Sequence, residues 1–163
     1  MAVVLVGTLD TKGAELAFAR DRLRAHGRDT LVIDAGSAGP PAFAPDIARE
    51  EVFRRAHGSL AAIRDLGDRG RAVTRAAEGV AALVADLAHD GKVEGILALG
   101  GSAGTTIGTA AMRALPVGLP KVMVSTVASG QTRPYVGGSD IVLFPSVADL
   151  AGLNRITRTV LAN

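Results

Sequence analysis

Along this chain, short runs of β-branched and leucine residues alternate with longer stretches whose apolar positions recur every three or four residues. Each rhythm predicts a different element. Val3-Val4-Leu5-Val6, closed by Gly7, reads as a strand. From Gly13 to Gly27, Leu16, Ala17, Arg20, Leu23 and Arg24 fall at helical spacing, and Leu31-Val32-Ile33 reads as a second buried strand, completing a βαβ unit. The segment Ala35 to Pro45 is rich in Gly and Pro and reads as a loop. Asp46 is a candidate N-cap for a helix through Arg55, with Gly58 ending it. A longer helix is predicted from Arg69 to His89, because Val73, Ala77, Val80, Val84 and Leu87 share one face; Gly91 is its natural stop.

The second half repeats the pattern. Strands are predicted at Gly95 to Leu99, Lys121 to Ser125 and Ile141 to Phe144, and helices at Thr105 to Leu115 and Val147 to Leu161. Strands alternating with helices predict an α/β fold of the Rossmann-like kind, a mainly parallel sheet with helices on both faces. A boundary near Gly91 would divide it into two small subdomains, 1–91 and 92–163, the second carrying a glycine-rich loop.

Composition narrows the class. With 48% hydrophobic and 21% charged residues the chain is globular rather than disordered, and at 3% aromatic with no tryptophan its core must be built from Val, Leu, Ile and Ala. The 18 basic and 16 acidic residues are interspersed, so neither a nucleic acid nor a membrane surface is indicated as partner. Cysteine is absent, which excludes disulfides and thiolate metal sites, and the three histidines lack metal-ligand spacing. No apolar run approaches the roughly 18 residues of a membrane helix. A cytoplasmic setting is the expectation.

Three polar loops carry the candidate chemistry. Gly100-Gly101-Ser102-Ala103-Gly104-Thr105-Thr106 lies between a predicted strand and a predicted helix, at the strand's carboxyl end, where open α/β sheets bind ligands. Glycines there let backbone N–H groups approach an anion, and the helix start adds unpaired donors and a positive dipole end, an arrangement suited to phosphate. It matches neither the Walker loop nor the dinucleotide pattern, and the same small residues equally suit close packing of helix on sheet. Gly100 to Gly104 also satisfies the nucleophile elbow Gly-x-Ser-x-Gly, but His26, His57 and His89 all precede Ser102, whereas that hydrolase order needs its histidine afterwards. Activation of Ser102 by Lys12 or Lys121 stays open.

The first loop, Gly7 to Gly13, stands in the equivalent place after the first strand. Lys12 suits phosphate oxygens, Thr8 and Thr11 can donate hydrogen bonds, and Asp10 can hold Mg²⁺ or a ribose hydroxyl. Asp10 or Thr11 would equally serve as a helix cap. Ser125, Thr126, Ser129 and Gly130 end a third strand on the same edge. Asp34, at the end of the second strand, is placed to bind ribose hydroxyls or to close a turn. Asp68 is a candidate cap for the long helix.

With these loops laid out, the chain resembles the ATP-binding N-terminal region of the tomato mosaic virus resistance protein family. The resemblance rests on GTLDTKG at 7–13, DRGRAV at 68–73, GILALGGSAGTTIGTAAMRALPVGLPKVMVSTVASG at 95–130, YVGGSDI at 135–141 and SVADLAGLNRITRTVLAN at 146–163. It is loose between 36 and 67, and Ala103 stands where the family commonly has glycine. The resemblance implies a Rossmann-like domain that binds ATP at these loops, a homodimer, and a further C-terminal domain that this chain does not contain. The expected nucleotide-binding set is therefore Thr8, Asp10, Thr11, Lys12, Gly100, Gly101, Ser102, Gly104, Thr105, Thr106, Ser125, Thr126, Ser129 and Gly130, with ATP, alone or with Mg²⁺, as ligand. Two other functions compete with that reading. One is a non-catalytic interaction module that dimerises through the 69–89 helix and the last helix; the other is an enzyme using Ser102 as nucleophile.

Overall fold

The computed structural model describes residues 1–163. Five strands, β1 (Ala2–Gly7), β2 (Thr30–Asp34), β3 (Val93–Gly100), β4 (Lys121–Ser125) and β5 (Val142–Pro145), form one sheet in the order β2-β1-β3-β4-β5. Every neighbouring pair is parallel. β1, second in this order, pairs with β2 on one side, Leu5 opposite Val32, and with the central β3 on the other, Leu5 opposite Leu97. One sheet thus runs without a break across the segment around Gly91.

Period-two alternation along these strands feeds two cores. Val4, Val6, Ile33, Ile96, Ala98 and Met123 point to the larger one. It is covered by α2 (Arg49–Arg55), α3 (Leu60–Leu66), α4 (Arg69–His89) and α5 (Ser102–Arg113). On the opposite face, Leu5, Val32, Leu99 and Val124 pack with Leu9, Leu16 and Ala19 of α1 (Leu9–Ala25) and with Val160 and Leu161 of α7 (Arg155–Ala162). The α/β architecture with a parallel sheet and helices on both faces is the predicted one. Glycines set how closely the layers approach: a Cβ on Gly108 would lie 2.5 Å from the Ala98 Cβ, and one on Gly79 only 1.9 Å from the Val52 carbonyl oxygen.

Several boundaries differ from the pattern-based expectation, each for a local reason. α1 starts at Leu9 rather than Gly13, because the N–H groups of Thr11 and Lys12 both turn back to the Thr8 carbonyl; Lys12 itself departs from helical geometry at φ −127° and ψ 22°. Neither Asp10 nor Thr11 is its cap: the N-cap position is Thr8. Nor does Asp46 cap α2, whose N-cap is Ala48; the Asp46 carboxylate instead accepts the Val32 N–H at 2.7 Å. α3 was not anticipated. It is a seven-residue helix opened by the Ser59 hydroxyl, which accepts the Ala62 N–H, and closed by left-handed Gly67. α5 starts at Ser102, three residues before the predicted Thr105.

The last helix begins at Arg155 and not at Val147, since the Asn154 side chain accepts the N–H groups of Ile156 and Thr157 in a capping box. Val147 meanwhile sits at φ +65°, outside helical geometry. Asp68 caps α4 as anticipated, accepting the Arg71 N–H at 3.0 Å. The stretch 135–141 holds the end of the short helix α6 (Arg133–Val136) and then Asp140, which ties down the amino-terminal edge of the sheet. There the Asp140 carboxylate accepts from the Gly118 N–H and from the buried Lys121 ammonium at 2.6 Å, and these two bonds hold its pKa below the ordinary 3.8.

Candidate functional site

In this strand order the chain leaves β1 toward β2 on one side and builds β3, β4 and β5 on the other. The loops that follow β1 and β3 therefore diverge, and a crevice opens between them at the carboxyl edge. A cleft of about 730 Å³ lies there, within the size range of small-molecule sites. Thr8, Asp10, Thr11 and Lys12 line it from the β1–α1 turn, and Gly100 to Gly104 from the β3–α5 turn. Its far wall comes from Ile63 and Arg64 of α3 and from Asp68, Arg69, Ala72 and Val73 at the start of α4.

The glycine-rich turn serves packing and exposure together. A Cβ on Gly100 would sit 2.8 Å from the Gly104 Cα, and one on Gly104 would sit 3.1 Å from the Leu99 carbonyl oxygen, so these two glycines let the first turn of α5 close onto the strand end. What that turn presents to the cleft is backbone. Gly101 caps the helix with no side-chain bond, and the N–H groups of Ser102, Ala103 and Gly104 find no acceptor in the chain. They are the orphan donors of a helix start, at the positive end of its dipole.

Cations and acids around the cleft are held in defined places. Lys12 Nζ donates to the Leu150 carbonyl, and three residues on, the buried Glu15 carboxylate accepts the Gly152 N–H at 2.7 Å, so α1 anchors the 150–152 segment at both points. Thr8 and Thr11 hydroxyls bond to each other at 2.6 Å. Arg64 donates through Nε to the Ser37 carbonyl at 2.7 Å and through Nη2 to that of Ala38 at 2.8 Å. Beneath this loop lies a buried trio that the sequence did not reveal. Arg49 bonds Asp34 through Nε at 2.7 Å, meets the Gly39 carbonyl at 2.6 Å, and lies 3.7 Å from Asp10.

Asp34 is consequently a structural residue and no ribose ligand: its carboxylate also accepts the N–H groups of Leu9 and Gly36, and the residue is fully buried. Asp10 accepts the Ala38 N–H at 2.8 Å while its other oxygen, Oδ1, is buried without a partner. Two exposed acids also line the cleft, Asp68 at the start of α4 and Asp149, which precedes the Leu150 whose carbonyl holds Lys12; Asp149 is not among the residues expected from the sequence.

The third loop does not merge into this cleft. Ser125, Thr126 and Ser129 line an adjoining cavity of about 410 Å³ together with Ser146 and Val147, and Asp149 belongs to both walls. Ser125 is itself buried, its hydroxyl bonded to that of Thr105 at 2.7 Å and to the Val127 N–H at 3.0 Å. Thr105 is buried with it and also bonds the Gly101 carbonyl, Thr106 bonds the Ser102 carbonyl, and Gly130 lines neither cavity. Ser102 is exposed at the cleft, yet its hydroxyl bonds to no basic side chain. Lys121 cannot activate it, since Lys121 starts β4 at the opposite edge, and no histidine lines the cleft. The apolar face of α4 packs inside the chain, whereas α7 only half-buries Val160 and Leu161 and leaves Ile156 exposed. No helix is long and apolar enough to cross a membrane.

Comparison with known proteins gives a consistent result over the whole chain. A UPF0261 protein of Clostridium tetani is 45% identical over 99% of this chain, and UPF0261 protein RA0729 of Rhizobium meliloti is 45% identical over the same share. The tomato (Solanum lycopersicum) ToMV susceptible protein tm-1(GCR26) is 33% identical, again over 99% of the chain. This chain spans 40% and 39% of the length of the two bacterial relatives and 23% of the tomato protein. The model of the uncharacterised protein family UPF0261 N-terminal domain matches residues 1–163, and the chain belongs to that family.

Proposed function

We propose that the cleft between the β1–α1 and β3–α5 turns binds the phosphate groups of a nucleotide, ATP. The observation that carries this reading is the trio of unpartnered amides on Ser102, Ala103 and Gly104, which opens on a ligand-sized crevice at the point where the strand order reverses. In such a complex the phosphate oxygens accept from these amides and from the Ser102 hydroxyl, and Lys12 exchanges its Leu150 carbonyl partner for a phosphate oxygen. Mg²⁺ fits this site as a companion of the phosphates, since it is commonly bound through one or two carboxylates plus phosphate oxygens, and Asp149 is placed to supply one. These residues bind and orient the phosphates.

Isothermal titration with ATP and Mg²⁺ tests the reading. The folded chain should bind, and Lys12→Met should weaken binding about tenfold to a hundredfold, the worth of roughly 1.5–3 kcal/mol for a hydrogen bond to a charged group. No heat of binding at millimolar nucleotide would refute it.

A further inference from the structure

The cleft has two chemically different ends, and the phosphate site accounts for only one. At the other, α3 and α4 present Ile63 and Ala72, whose side chains are nearly excluded from solvent, with half-buried Val73 beside them. A cleft of about 730 Å³ far exceeds what an inorganic phosphate fills, and its surplus wall sets the apolar side chains of Ile63, Ala72 and Val73 beside the charged ones of Arg64, Asp68 and Arg69. Over that wall stands Arg64. Both of its bonds, from Nε to the Ser37 carbonyl and from Nη2 to the Ala38 carbonyl, lie in the plane of the guanidinium, because that is where its N–H groups point. The group is thereby fixed at its edge, the residue is exposed, and no aromatic ring of the chain lies over it, a state from which an arginine can stack on an incoming ring.

From this we infer that the α3–α4 end of the cleft is a base subsite: a flat heteroaromatic ring stacks against the Arg64 guanidinium and rests on Ile63, Ala72 and Val73. The inference rests on the phosphate reading for the other end of the ligand. It gives the cleft a preference for nucleotides over phosphates without a ring, and it makes Arg64 a specificity-determining residue through its shape rather than its charge. A lysine in its place keeps the charge but has no plane to stack.

The test compares ATP with inorganic tripolyphosphate by titration, on the unaltered chain and on two variants, Arg64→Lys and Val73→Glu, each first checked for an unchanged melting temperature without ligand. The expected result is that ATP binds at least tenfold more tightly than tripolyphosphate, and that both variants erase most of this ratio while leaving tripolyphosphate affinity within about twofold. Etheno-ATP fluorescence supplies a second readout: its change on binding should be lost in Arg64→Lys. Equal affinities for ATP and tripolyphosphate, untouched by either variant, would overturn the base subsite while the phosphate reading stands. Absence of binding by either ligand overturns both. Should one variant lower the unliganded melting temperature, the other decides.

Discussion

Arg49 carries two carboxylates from inside the protein. Its side chain is 4% exposed, those of Asp34 and Asp10 are 1% and 3%, and the three come from α2, the end of β2 and the first turn of α1. Removing the guanidinium would leave two acids facing each other without solvent, so Arg49→Met should cost about 3–5 kcal/mol, the range for breaking a buried ion pair from one side. Urea denaturation measures it, and a loss under about 1 kcal/mol would show that the trio is dispensable. Adding Asp34→Asn should recover part of the loss, because one of the unpaired charges goes with it. This trio also marks the limit of reading residues in order. An aspartate at the end of a strand looks the same whether it awaits a ribose or is already bonded to an arginine fifteen positions on. The amides of Ser102 to Gly104, by contrast, were legible, because a glycine turn into a helix start fixes their exposure locally.

A long helix with a strong period was legible along its whole length; of the two seven-residue helices, α2 was legible up to its end at Arg55, and α3 was not. α4 runs over the residues its apolar spacing predicts, Arg69 to His89. α3 spans less than two turns, too few for a periodic signal, although Ser59 and Gly67 are a start and a stop of the expected kinds. It matters for the site because it supplies Ile63 and Arg64. The interior glycine of α4 was a clue of another kind. Gly79 costs its helix roughly 1 kcal/mol relative to alanine, and the structure shows why it is there: α2 crosses so closely that no Cβ fits beside the Val52 carbonyl. Gly79→Ala should therefore destabilise by about 1–3 kcal/mol despite its better helix propensity, because the obstacle is backbone and only a shift of α4 away from α2 relieves it. Chemical denaturation decides the sign; a stabilised variant would mean that the two helices separate at little cost.

At the scale of the whole molecule, alternation of strands and helices predicted a parallel sheet, but strand order is a non-local property that no short window contains. The position of the cleft follows from that order: β1 lies between β2 and β3, so the turns leaving β1 and β3 diverge over one crevice. The two edges of the sheet should then answer a ligand differently. At the carboxyl edge the N–H groups of Ser102, Ala103 and Gly104 have no partner and should exchange with solvent rapidly. At the amino edge the Gly118 N–H is bonded to Asp140 and lies outside the cleft. Hydrogen exchange with saturating ATP and Mg²⁺ should slow the first three amides at least tenfold and leave Gly118 almost unchanged. Binding at a hundred times the dissociation constant would also stabilise the fold globally by about 2.7 kcal/mol, so the comparison must be made on amides that exchange by local opening. Equal slowing at both edges would place the ligand elsewhere or make its effect purely global, and an unchanged Ser102–Gly104 turn in a protein that binds ATP would remove the phosphates from α5.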